Sequence, residues 1–157
     1  MQGGGRGRPR QESDKMQDPH FSKAYPIRFS HCDPAGIVYF PQYLVLSNWL
    51  VEDWFTEGLG ISFADFIGPR RLGLPIIKLD CEFLRPSRQG EQLTLQLRVA
   101  RLGGSSLTLD MEGHANGELR LRCRQVLVHI SLDSGAAIDA PADVRAALSG
   151  LLEEATA

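Results

Sequence analysis

The stretch "QYLVLSNWLVEDWFTEG", residues 42–58, decides the fold. Leu46, Leu50 and Trp54 recur at helical spacing on one face, and Tyr43, Trp49, Val51 and Phe55 widen that face around much of the helix. Glu52, Asp53 and Glu57 leave only a narrow polar edge. Pro41 suits the first helical turn, where a missing N–H costs nothing, and Gly58 and Gly60 supply the stop. A helix this apolar must be covered by the rest of its own domain.

The cover is readable on both sides of it. Before the helix, "AYPIRFSHC" (24–32) alternates Tyr25, Ile27 and Phe29 with polar or small residues, a short strand facing its apolar side inward. After it, "SFADFIG" (62–68) predicts a further helical turn. Four strand candidates then follow at 75–86, 91–102, 105–115 and 118–132, separated by Arg88-Gln89-Gly90, Gly103-Gly104 and Asn116-Gly117. Leu93, Leu95, Leu97 and Val99 alternate with polar neighbours, so that strand has one face buried and one wet. Asn116-Gly117 is the strongest hairpin turn in the chain. In the last strand the apolar phase passes from odd (Leu119, Leu121, Cys123) to even (Val126, Val128, Ile130), which predicts a β-bulge near Arg124-Gln125. "PADVRAALSGLLEEA" (141–155) closes the chain as a helix with Pro141 at its start. The expected fold is α+β: a five-stranded antiparallel sheet wrapped around one long buried helix, plus a C-terminal helix.

Composition limits what such a domain does. The chain has 157 residues, 43% of them hydrophobic and 23% charged, enough for one ordinary globular core. A net charge of -2 gives no support to a nucleic-acid or anionic-membrane partner. No apolar run has the length of a membrane span, and the first residues lack the apolar core of a signal peptide. Cys32, Cys81 and Cys123 form no CxxC pair. They fit a reducing cytoplasm rather than a zinc site, with Cys81 and Cys123 read as small core residues. Residues 1–20, rich in Gly, Arg and Gln, read as a disordered leader, and residues 21–157 as a single domain.

Chemistry concentrates in "SHCDPAGIVYFPQYL", residues 30–44. Asp-Pro-x-Gly is good turn chemistry in itself, with the Asp side chain accepting a backbone N–H. This turn also runs into the N-terminus of the long helix, where unpaired N–H groups and the helix dipole favour a developing negative charge. A carboxylate there supplies a nucleophile or base beside an oxyanion hole. Cys32 is the rival nucleophile, but its neighbour His31 points to the other face of an extended chain. His114 and His129 fall in strand-like runs and read as structural. No G-x-S-x-G elbow, GxGxxG loop, Walker loop or convincing metal-ligand spacing is present, so Asp33 remains.

"HCDPAGIVYFPQYL", followed by the buried helix and "GLPIIKLDCEFLRPSRQGEQL", resembles the 4-hydroxybenzoyl-CoA thioesterase branch of the hotdog-fold acyl-CoA thioesterases over about residues 24–140. The resemblance implies a hotdog fold and thioester hydrolysis of an aromatic (hydroxybenzoyl-like) or short-chain acyl-CoA to free acid and CoA. It puts the catalytic carboxylate at Asp33, as nucleophile or general base, and the carbonyl-polarising backbone N–H at Phe40. It implies no metal or separate cofactor, coenzyme A being part of the substrate. It also implies a homo-oligomer, a dimer pairing sheets edge to edge or a tetramer, with sites at the subunit interface.

Tyr39, Tyr43, Asn48 and Pro75 are the candidates to bind the acyl group. Asn48 stands where hydroxybenzoyl-specific members can carry a carboxylate. Gly103 and Gly104 stand where basic residues can hold CoA phosphates, which leaves Arg85, Arg88, Arg101, Ser105 and Ser106 as the candidate CoA contacts. The rival readings are a hotdog acyl-CoA hydratase or dehydratase and a non-catalytic acyl-CoA-binding module.

Overall fold

The computed structural model describes residues 16–156, with side chains to Leu152. Strand β1 (Phe21–Pro26) leads through a short 3-10 turn at Phe29–His31 into helix α1 (Phe40–Asp53), which continues as a π-helical turn over Trp54–Gly58. Helix α2 (Phe63–Ile67) and strand β2 (Leu72–Gly73) precede β3 (Ile76–Phe83), β4 (Gln92–Leu102), β5 (Ser106–Ala115), β6 (Glu118–Val128) and β7 (Ile130–Ser131). Helix α3 (Ala142–Thr156) ends the described chain. The main sheet has five antiparallel strands in the order β1-β4-β5-β6-β3, and β2 pairs with β7 in a small second sheet.

The core lies between α1 and one face of the main sheet. Leu46, Leu50, Trp54 and Phe55 meet Leu93, Leu95 and Leu97 of β4 and Leu107, Leu109 and Met111 of β5, all buried. This is the expected wrapping of a sheet around an apolar helix. The helix is not covered all round, however. Trp49, expected on the apolar side, is 41% exposed, and Val45 is open beside it.

The strand expected over 24–32 ends at Pro26, because the next residues close a 3-10 turn and leave Phe29 80% exposed. The predicted bulge at Arg124-Gln125 is absent. Leu121, Cys123, Gln125 and Leu127 stay buried in one unbroken phase, while Val126 and Val128 turn to the half-buried opposite face. The irregularity sits earlier: Leu119 pairs with His114 and Leu121 with Gly113, making Arg120 the extra residue. Cys81 and Cys123, read as separate core residues, are cross-strand partners joined as a disulfide. Asn116 and Gly117 both have positive φ, +51° and +74°, as the tight turn between β5 and β6 requires.

Of the stretch read as a leader, residues 1–15 lie outside the described residues. Residues 16–20 run along β4 and β5. The Met16 N–H donates to Glu112, Arg98 donates to the carbonyls of Gln17 and Asp18, and the His20 N–H donates to the Leu97 carbonyl. Among the described residues no helix is long and apolar enough to cross a membrane.

Candidate active site

Asp33 sits at the tip of a loop that folds back on itself immediately before α1. Cys32 and Val38 form an isolated antiparallel bridge, and the Asp33 N–H donates to the Ile37 carbonyl at 2.9 Å. Gly36, at φ +77°, makes the reversal, and its N–H donates back to the Asp33 carbonyl at 2.9 Å. The Asp33 side chain accepts the Ala35 N–H at Oδ1, 2.8 Å away, as the turn chemistry predicts. Among the described residues its second oxygen, Oδ2, has no partner, and the side chain is half-buried. The carboxylate is thus held by one oxygen and presented by the other.

The same loop sets the start of α1. The Tyr39 N–H donates to the His31 carbonyl at 3.0 Å, and the Tyr39 carbonyl accepts the Gln42 N–H at 2.8 Å. Pro41 has no N–H to offer, and the Phe40 N–H finds no acceptor among the described residues. A free N–H at a helix N-terminus can receive a developing oxyanion.

Beside this N-terminus opens a groove of about 500 Å³ lined by Ile37, Val38, Phe40, Tyr43, Phe83 and Leu84, with Arg85 and Pro86 at its end. Its wall Ile37–Val38 is the returning limb of the Asp33 loop, and Ile37 also bridges to Arg88. The Tyr43 and Phe83 rings are stacked, 5.6 Å apart at 24°, and the Phe40 ring leans on Phe83 at 5.9 Å. The Tyr43 hydroxyl accepts the Ser87 N–H at 3.1 Å, so its ring is pinned from the loop after β3.

That loop is anchored in turn by Arg120, which is 3% exposed. Its guanidinium donates to the carbonyls of Pro86 (2.7 Å) and Ala115 (3.2 Å) and forks onto Glu91 at 2.9 and 3.2 Å. Hydrogen bonding from Arg120 holds the Glu91 carboxyl below the usual carboxylate range.

The remaining sequence candidates do not all converge. Tyr39 is exposed and packs edge-on against Phe40, and Asn48 is exposed on α1. Arg85 borders the groove and forms an ion pair with Glu118 at 3.5 Å. Arg88 lies in the neighbouring polar depression with Arg85, Glu91 and Asn116. Pro75, Arg101, Ser105 and Ser106 stand at the other end of the sheet, where the Pro75 carbonyl accepts the Val128 N–H and Ser106 pairs with Val128. Within one chain, the two sets of proposed CoA contacts are therefore separated by the length of β5, because alternate turns of an antiparallel sheet lie at opposite ends.

The Cys32 Sγ is directed to the Arg28 carbonyl, 3.5 Å away, and the His31 Nδ1 to the Arg28 N–H, so the two do not pair. His114 pairs with Glu112 at 3.0 Å and His129 is fully buried against the Ser105 carbonyl, both in structural surroundings. Sequence reading missed Phe83, Ser87, Glu91 and Arg120; Leu119 and Leu121 keep one apolar phase around Arg120, so the sequence carried no signal for the last.

A five-stranded antiparallel sheet around a long helix, with a D-P-x-G loop at that helix's N-terminus, defines the hotdog-fold thioesterase class. The profile of the thioesterase-like superfamily matches residues 27–148, and the chain belongs to that superfamily as a thioester hydrolase. A 1,4-dihydroxy-2-naphthoyl-CoA hydrolase of Prochlorococcus marinus (strain MIT 9313) is 32% identical over 131 residues, spanning 78% of this chain and 80% of the relative. One of the same name from Acaryochloris marina (strain MBIC 11017) is 40% identical over 76 residues, 48% of this chain and 55% of the relative. In fold, the chain matches a 1,4-dihydroxy-2-naphthoyl-CoA thioesterase from Synechocystis with a TM-score of 0.76 at 22% identity, over 83% of this chain and 96% of the other. It matches a gentisyl-coenzyme A thioesterase with a TM-score of 0.75 at 23% identity, over 82% and 99%.

Proposed function

We propose that the protein hydrolyses an aromatic acyl-CoA, with Asp33 as the catalytic carboxylate and the Phe40 N–H as the oxyanion donor. The observation that carries this reading is the ring-lined groove of Phe40, Tyr43 and Phe83 beside the unpaired helix N-terminus. A flat acyl group gains stacking there that an alkyl chain of equal area does not. The names of the relatives favour a dihydroxynaphthoyl group, and a single hydroxylated ring is the next candidate.

The chemistry needs little more. Asp33 Oδ2 attacks the thioester carbon, or takes a proton from a water that does so, and the carbonyl oxygen gathers charge toward the Phe40 N–H. The C–S bond then breaks, and the CoA sulfur leaves as thiolate, for which a thiol pKa of about 8.5 makes a strong general acid unnecessary. On the direct route the acyl group remains on Asp33 as a mixed anhydride, which water cleaves to the free acid and the restored carboxylate.

We further propose a dimer built through β3. This edge strand exposes Ile76, Ile77, Leu79 and Phe83, an open apolar edge of the kind proteins otherwise cover. Antiparallel pairing of two β3 strands about a two-fold axis brings the Ile76 end of a second copy beside the Phe83 end of the first. The Ser105–Ser106 end of that copy then moves toward Arg85, joining the two sets of CoA contacts that one chain holds apart.

The test is thiol release from dihydroxynaphthoyl-, hydroxybenzoyl-, benzoyl- and short-chain acyl-CoAs by wild type, Asp33→Asn and Cys32→Ala. The expected result is turnover of the aromatic thioesters, a loss of at least a hundredfold in Asp33→Asn, and near-wild-type rates in Cys32→Ala. Full activity in Asp33→Asn would overturn the assignment. Tight acyl-CoA binding without any thiol release would favour a binding module.

A further inference from the structure

His31 is 4% exposed and occupies the joint between the two proposed catalytic elements. Its carbonyl accepts the Tyr39 N–H, fixing the residue before Phe40, and Asp33 follows it by two positions on the same loop. Its ring is held from two sides. Nδ1 accepts the Arg28 N–H at 2.9 Å, and the ring lies edge-on to Trp49 of α1 with centroids 6.1 Å apart. An imidazole nitrogen that accepts an N–H carries no proton, so the ring is the neutral Nε2–H tautomer.

Protonating Nδ1 would set two donors against each other and cancel the bond that closes the Phe29–His31 turn. The charged group that acts on the ring is Arg28, on its own turn; from α1 the ring meets Trp49, which packs in turn against Tyr25 of β1. Burial first, and then the Arg28 charge, hold its pKa below the ordinary imidazole value, so the neutral form that makes the bond is the favoured one.

We propose that His31 is a positioning residue whose neutral ring locks the Asp33 loop to α1, so that its protonation unlocks the loop and lowers turnover in acid. The proposal rests on Asp33 being the catalytic carboxylate. It assigns the acid limb of the rate profile to His31.

An asparagine side chain places an acceptor oxygen near the position of Nδ1 without titrating in this range, which separates the lock from the proton. The experiment measures kcat/KM for a good aromatic acyl-CoA between pH 4.5 and 8 in wild type, His31→Asn, His31→Ala and Asp33→Asn, with circular dichroism confirming the fold of each. His31→Asn is expected to keep activity within about threefold at pH 7.5 and to lose the limb that wild type shows below the ordinary imidazole range. His31→Ala, lacking the acceptor, is expected to fall about tenfold at pH 7.5, the size of one lost hydrogen bond, and to converge on the wild-type rate in acid, where the wild-type bond is already lost. An unmoved limb in His31→Asn, with Asp33→Asn inactive, would overturn the role of His31 and leave Asp33 standing. A folded but inactive His31→Asn would overturn it too, since the ring would then act on the substrate directly. Full activity in Asp33→Asn would overturn the Asp33 reading and this proposal with it.

Discussion

Replacing Glu91 with Ala strands a buried charge. The Arg120 guanidinium is almost wholly enclosed, and Glu91 is its bidentate partner at 2.9 and 3.2 Å. Removing one member of a buried ion pair typically costs about 3–5 kcal/mol, because the other charge stays desolvated. Here Glu118 remains 3.2 Å from Nη2, and the Pro86 and Ala115 carbonyls still accept, so the low end applies, about 3 kcal/mol. For a chain of this length that lowers Tm by roughly 6–12 °C.

The double variant Glu91→Leu/Arg120→Met removes both charges and fills the space with apolar atoms. It should lose less stability than Glu91→Ala alone. Urea unfolding of wild type and both variants, at one fixed protein concentration so that any subunit dissociation contributes equally, measures the ordering. The damage should reach the groove, because Arg120 anchors Pro86 and Ser87, and Ser87 pins the Tyr43 hydroxyl. KM for an aromatic acyl-CoA is expected to rise in Glu91→Ala. A loss under about 1 kcal/mol, or a double variant less stable than the single one, would refute this account of the pair.

His129 gives an acid-side prediction of the opposite origin. Burial outweighs its bond to the Ser105 carbonyl and pushes the pKa of the ring down, so the fold prefers the neutral form. Its contribution is complete above the unfolded value of about 6.5 and is lost as pH falls toward the lower folded value. His129→Asn, which keeps a donor for the carbonyl, should flatten the fall of Tm between pH 6.5 and 5; an identical slope would count against it. Phe83→Ala should raise KM for an aromatic acyl-CoA about tenfold while changing a short-chain substrate by less than threefold, since it deletes the ring stacked on Tyr43. Steady-state kinetics on the two substrates checks this, and equal losses on both would mean that Phe83 supports the wall rather than selecting the acyl group.

The fold was legible because its main elements are written in local periodicity. Residues 42–58 carry a helical stripe, 93–99 alternate strictly, and Asn116-Gly117 supplies the two left-handed residues a tight hairpin needs. The errors came where tertiary partners overrode the pattern. Phe29 looked inward by alternation, but the Arg28–His31 bond turns the chain before it can pair. Apolar Val126 and Val128 suggested a phase change, yet Gln125 stays buried and the extra residue is Arg120, held in place by Pro86 and Glu91 of the loop after β3 and by the Ala115 carbonyl across the hairpin. A charged side chain in a strand looks like a wet position when its partners are out of view.

The Asp33 loop and the Phe40 N–H were visible because they lie within one short stretch; the groove was not, because Tyr43 meets Phe83 and Ser87 only after the chain has crossed from helix to sheet. That division has a functional consequence. The proposed catalytic groups lie on one continuous segment, whereas the walls that would choose an acyl group are assembled from α1 and the end of β3. Phe83 is both a groove wall and part of the exposed apolar edge through which we propose that two copies join. Substitutions on the β3 edge are therefore expected to change substrate choice and assembly together. Substitutions in residues 31–40 should change the rate while leaving the assembly intact.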